Sequence, residues 1–138
     1  MTDKQTYVDD KLGDVCDVNG KFAFIVHGWN GGYSTWLDVI TKKLLHYRGG
    51  CIILMDYKFY SDVPNVPLLQ TYFPLISNFS KVSNVLTKKL KNLEVEGFNP
   101  DNVFMFGHSL GARLIIDAAA NYGKKKIKEI DGKIINIL

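Results

Sequence analysis

The chain has 138 residues, a size that suits one domain of ordinary dimensions. Hydrophobic residues make up 46% of it and aromatics 12%, a globular composition that can furnish a core. The net charge of +3, from 17 basic against 14 acidic residues, is too mild to argue for nucleic acid as a partner.

Residues 1–20 read as a polar, turn-rich lead-in without the apolar core of a secretory signal. No stretch is long enough to span a membrane, so the chain taken literally stays where it is made, in the cytoplasm. Cys16 and Cys51 do not make a disulfide framework. They form one bridge if their Cα atoms approach, or Cys51 is a buried free thiol.

Phe22 to Val26 is a short, bulky, partly β-branched run, as expected of a strand buried on both faces. His27-Gly28 ends it and Gly31-Gly32 continues the loop. Ser34 or Thr35 caps a helix from about Trp36 to Arg48. Trp36, Leu37, Ile40, Leu44 and Leu45 recur on it at helical spacing, and Gly49-Gly50 stops it. Cys51 to Met55 is a second buried strand. Asp56 to Thr71 is irregular, broken by Pro64 and Pro67. Pro74 opens a further helix with Ile76, Phe79, Val82, Leu86, Leu90 and Leu93 on one face. Asn78-Phe79-Ser80 matches the glycosylation sequon but falls in that helix.

Gly97 and Asn99-Pro100-Asp101 make the next break. Val103 to Phe106 is the third strand, and Leu110 to Asn121 the helix after it, with Leu114, Ile115, Ala118 and Ala119 inward. Lys124-Lys125-Lys126 reads as a solvated loop. Ile127 to Ile130 is the fourth strand, broken at Gly132. Strands alternating with helices predict an α/β fold, a mostly parallel sheet with helices on both faces. In such sheets reactive groups sit at the carboxyl ends of strands, where Ser109, His27 and Asp56 all fall.

Gly107-His108-Ser109-Leu110-Gly111 joins the third strand to its helix and fits the G-x-S-x-G nucleophile elbow of α/β-hydrolases. A side chain at 107 or 111 would collide with the neighbouring strand or helix. The serine stands at a helix N-terminus, where backbone N–H groups are free and negative charge is favoured. A serine hydroxyl needs a base to take its proton and donors for the oxyanion. The Leu110 N–H supplies one donor. The loop His27-Gly28-Trp29 supplies the other through the Trp29 N–H, with Gly28 giving the backbone room.

Phe24-Ile25-Val26-His27-Gly28-Trp29, Trp36-Leu37, Ile52 to Tyr57 and Phe106 to Ala112, in this order, resemble the pancreatic-lipase-like family of neutral lipases, phospholipases A1 and yolk-protein homologues. The resemblance runs from about Lys21 to Asp131 and covers the front part of that family's catalytic domain. It implies a partial α/β-hydrolase fold over residues 21–138 that stops before the last strands. It implies a lipid or small ester substrate, contact with a lipid interface, an extracellular site of action, and no cofactor or metal. Tyr57 stands where the family usually has Trp after Asp, and Arg113 where it often has His.

The triad order in this fold is Ser, then Asp or Glu, then His. None of the three histidines, His27, His46 and His108, follows Ser109. Ile127-Lys128-Glu129-Ile130-Asp131 resembles the strand that ends in the family's acid, which makes Asp131 the candidate. A shifted alignment places the acid later. Asp56 and Asp117 are weaker candidates, the first structural and the second facing out from its helix. Three readings remain: a serine ester hydrolase represented by an incomplete, inactive piece; a non-catalytic binding or storage homologue; and a truncated product without function.

Overall fold

The computed structural model describes residues 16–29, 34–57, 70, 76–123 and 127–133. Strand β1 (Phe22–Val26) is buried at every position, as its unbroken apolar run requires. Ser34 holds the extended conformation of an N-cap before α1 (Thr35–Tyr47), but its side chain makes no capping hydrogen bond. Strand β2 (Cys51–Met55) follows. Helix α2 (Phe79–Val95) buries Val82, Leu86, Leu90 and Leu93 as expected, together with Ser83 and Thr87. It ends at Gly97, whose φ of +96° suits glycine, and the Phe98 N–H then bonds the Leu93 carbonyl at 3.0 Å. A 3-10 turn (Pro100–Asn102) leads into β3 (Val103–His108), α3 (Leu110–Tyr122) and β4 (Glu129–Lys133).

The four strands form one parallel sheet in the order β2-β1-β3-β4, consistent with a partial α/β-hydrolase fold. The parallel pairings alternate which side chains reach each face. Phe22, Phe24, Val26, Val103 and Met105 share one core with α2 and α3. On the other face Phe106 meets Trp36 of α1, ring centroids 6.4 Å apart. Each crossover thus carries a helix, and the helices lie on both faces as the βαβ pattern requires.

Arg48, just past α1, ties the amino ends of the strands together. Its guanidinium donates to the Phe22 carbonyl at 2.9 Å and the Asn102 carbonyl at 3.1 Å, and lies 5.7 Å from the Phe104 ring centroid.

Several expectations change. β2 is not fully buried, and Leu54 is 38% exposed, because β2 is the outermost strand on its side among the described residues. Trp36, Ile40, Leu44 and Leu45 are not the buried stripe of α1; Leu37 and Thr41 are. Ile76 is exposed, ahead of α2. Asp117 does not face out: it accepts a hydrogen bond from Ser83 across the α2–α3 contact and another from Asn121 at 3.3 Å. Gly132 does not break β4, which runs from Glu129 through it to Lys133. A Cβ on Gly132 would stand 2.9 Å from that of Ala112, so this glycine lets α3 lie close to β4. Pro64, Pro67, Pro74 and Lys124 to Lys126 lie outside the described residues.

Cys16 and Cys51 are joined in a disulfide, Cα atoms 5.9 Å apart, linking the segment before β1 to the start of β2. No helix among the described residues is long and apolar enough to cross a membrane. The bridge closes a 35-residue separation, for which loop-closure entropy alone gives about 4 kcal/mol. Replacing both cysteines by serine is expected to lower the unfolding free energy by about 2–4 kcal/mol, read from urea denaturation.

Candidate active site

After β2 has been laid on one side of β1, the chain crosses over and lays β3 on the other. The carboxyl ends of β1 and β3 therefore border the crevice of an open α/β sheet at which ligands bind. β1 ends in His27-Gly28-Trp29 and β3 in Ser109, so the topology brings the two motifs together.

Ser109 has φ 55° and ψ −120°, the sole non-glycine residue at positive φ among the described residues. Such a backbone costs on the order of 1–3 kcal/mol and persists only where its surroundings enforce it. Here the surroundings are backbone on backbone. A Cβ on Gly107 would come within 2.5 Å of the Gly111 carbonyl, and one on Gly111 within 2.3 Å of the Val26 and His27 carbonyl oxygens. The first turn of α3 is thus pressed onto the end of β1, as expected from the elbow glycines. Ser109 is the N-cap of α3 by position, yet its side chain makes no capping bond. The Leu110 N–H, at the first helical position, has no carbonyl within the helix to bond.

The loop after β1 closes on the serine from the other side. A Cβ on Gly28 would lie 3.1 Å from the Ser109 Cβ and the His108 carbonyl oxygen. Trp29 follows, partly buried against the core. Behind this loop stands Tyr57, only 3% exposed. Its ring stacks on the His27 imidazole at 4.2 Å and 10°. Its N–H donates to His27 Nε2 at 3.1 Å and its hydroxyl to the His27 carbonyl at 2.7 Å. With Nε2 accepting, Nδ1 carries the ring proton and donates to the Gly28 carbonyl at 2.8 Å. The exposed Asp56 carboxylate lies 3.1 Å from the same Nε2 and accepts from it only in the alternative protonation that puts a proton there, so it competes with the Tyr57 N–H for this nitrogen.

The remaining candidates stand elsewhere. Asp131 is in the middle of β4, in register with Phe106, not at the carboxyl end where the sequence was expected to put it. The strand continues two rows further, until Lys133 pairs with His108, because Gly132 extends it. His108 leans on Trp36, ring centroids 5.2 Å apart. His46 is near the C-terminus of α1, the end that Arg48 anchors to the amino edge of the sheet, across from Ser109. His27 is buried with both ring nitrogens engaged. The structure therefore sets Gly28 against Ser109, with Trp29 and Leu110 as their chain neighbours, and shows no hydrogen bond from Ser109 to Asp131 or to any of the three histidines. Among the described residues no cluster of His, Cys, Asp or Glu could hold a metal.

No family model matches the chain. Curated proteins do. It is 30% identical over 100 residues to lipase member H-A of Xenopus laevis, across 71% of this chain and 20% of that protein. Over 141 residues it is 28% identical to a putative endothelial lipase of Crotalus adamanteus, across 96% of this chain and 27% of that one. Over 123 residues it is 26% identical to pancreatic lipase-related protein 2 of Myocastor coypus, across 88% and 24%. Over these stretches the chain is similar to these lipases. It spans about a fifth to a quarter of the length of these relatives. The Tyr57 contacts were not anticipated from the sequence, where the residue was visible only as a departure from the family's Trp.

Two outcomes follow. Gly111→Ala is expected to cost about 3 kcal/mol of stability, measured by thermal or urea unfolding, since the clashing atoms are backbone carbonyls. Burial raises the Tyr57 phenol above its ordinary range; burial and then the carboxylate of Glu94, which accepts its hydrogen bond at 2.7 Å, do the same for Tyr122. A raised native pKa means that the unfolded chain releases these protons first. The stability they contribute is thus complete below the ordinary tyrosine pKa of about 10 and is lost as pH rises beyond it. In a tyrosinate absorbance titration Tyr57 and Tyr122 should ionise only with unfolding, and Tyr57→Phe should lose one phenol from that phase.

Proposed function

We propose that the chain carries the nucleophile and oxyanion hole of a carboxylic ester hydrolase of the lipase or phospholipase A1 type, acting on glycerolipid acyl esters. The strained Ser109 backbone, with Gly28 lodged against it, is the observation that carries this reading. The Ser109 Oγ attacks the acyl carbonyl carbon and forms a tetrahedral intermediate. The N–H groups of Leu110 and Trp29 receive its oxyanion. The C–O bond to the glycerol oxygen then breaks, the alcohol leaves with a proton, and the acyl group remains on Ser109 until water removes it. A lipid interface is the natural place for such a substrate. The disulfide adds to the resemblance in favouring an oxidising, extracellular setting.

The base is the missing part. His27, His46 and His108 each have another role or another location, and Asp131 stands rows away. These 138 residues on their own are therefore proposed to turn over esters negligibly. Loss of a triad member leaves about 10³–10⁴-fold acceleration over water, from the oxyanion hole and binding alone. The second reading is a lipase-like protein that keeps the fold and binds without catalysis.

Incubation with an alkyl fluorophosphonate, followed by peptide mass spectrometry, separates the two. Slow modification at Ser109, absent in Ser109→Ala, is expected, with p-nitrophenyl butyrate hydrolysis no faster than that residual level. A chain that is never modified at Ser109 supports binding or an inactive product.

A further inference from the structure

The oxyanion loop is short, its key residue Gly28 has no side chain to anchor it, and its N–H groups must still be aimed to within a few tenths of an ångström. Something must hold it from behind. Resting on the serine-hydrolase reading above, we propose that Tyr57 is a positioning residue for this loop, its hydroxyl holding the His27 carbonyl so that the Gly28–Trp29 backbone is aimed at the oxyanion.

Three separate contacts converge on one residue. The phenol hydroxyl donates to the His27 carbonyl at 2.7 Å, the ring covers the imidazole at 4.2 Å, and the Tyr57 N–H fixes the imidazole through Nε2 at 3.1 Å. The imidazole in turn donates from Nδ1 to the Gly28 carbonyl at 2.8 Å. The carbonyl of the His27–Gly28 peptide and that of the Gly28–Trp29 peptide after it are thus held by groups that Tyr57 controls. The His27 carbonyl also faces Gly111, where a Cβ would come within 2.3 Å of it, so the same oxygen is wedged between the hydroxyl and the first turn of α3. Rotation of that peptide would move the loop and the elbow relative to each other. The hydroxyl resists this rotation, because its loss would leave a buried carbonyl lone pair without its partner. A tryptophan ring at this position could stack but has no hydroxyl to place there.

The test uses the full chain and the fluorophosphonate probe. Tyr57→Phe keeps the ring and removes the hydroxyl. The control is Tyr122→Phe, which removes a second buried phenol that bonds Glu94 at the α2–α3 contact. Rates of Ser109 modification are compared with melting temperatures. We expect Tyr57→Phe to slow modification roughly tenfold, a part of the 10²–10³ that an oxyanion donor is worth. Tyr122→Phe should melt lower by a similar margin yet be modified within about twofold of the parent rate. Equal rates for parent and Tyr57→Phe, or equal slowing in both variants, overturn the proposal while leaving the nucleophile reading intact. Absence of any Ser109-dependent modification in the parent chain overturns the nucleophile reading, and the proposal with it.

Discussion

The first turn of α3 lies against the carboxyl end of β1 with no side chain between them, and the rest of the site depends on that contact. Gly111 rests on the Val26 and His27 carbonyls, and Gly107 lies under Gly111. Three backbone segments are stacked at a distance that any Cβ would prevent. The chain must turn from β3 into α3 within one residue to make this contact. That residue, Ser109, takes the positive φ. The strain at the serine and the closeness of the Gly28 loop are two results of one packing requirement.

Supporting features extend outward from this contact. The core shared by the sheet, α2 and α3 sets the height of α3 above β1 and β3, with Phe22, Phe24, Leu90, Leu114 and Ile115 almost fully buried. The few polar groups inside it are paired: Thr87 donates to the Ser83 carbonyl at 2.9 Å and Ser83 to Asp117. Arg48 gathers the amino ends of β1 and β3, the ends opposite Ser109.

Much of this was legible in the sequence because it depends on local chemistry. The run Phe22 to Val26 gives its strand to the residue, and the elbow glycines declare their close approach. What was misread depends on neighbours that no local pattern reveals. Leu54 is apolar yet exposed because β2 is the outermost described strand on its side, and Trp36 is 36% exposed although its ring leans on Phe106 and His108. A carboxylate on a helix reads as solvent-facing until a serine arrives from another helix, as Ser83 does for Asp117. Gly132 reads as a break because glycine weakens strands, but the nearness of Ala112 makes it a packing position, and this moves the end of β4 past Asp131. Tyr57 was visible as an odd residue, and the reason for it lies in a carbonyl that belongs to another strand's end.

The strand order has a consequence for how the molecule is made. β1 finds β2 soon after it, but its other neighbour, pairing Phe22 with Val103, is synthesised only after α2 is complete. Until then the most apolar strand of the protein has an unpaired edge, the kind of surface to which other chains add. The early-made half contains the Gly28 loop and the tyrosine behind it, and the late half contains Ser109. The nascent chain therefore passes through a stage in which β1 is prone to association, and the arrival of β3 ends it.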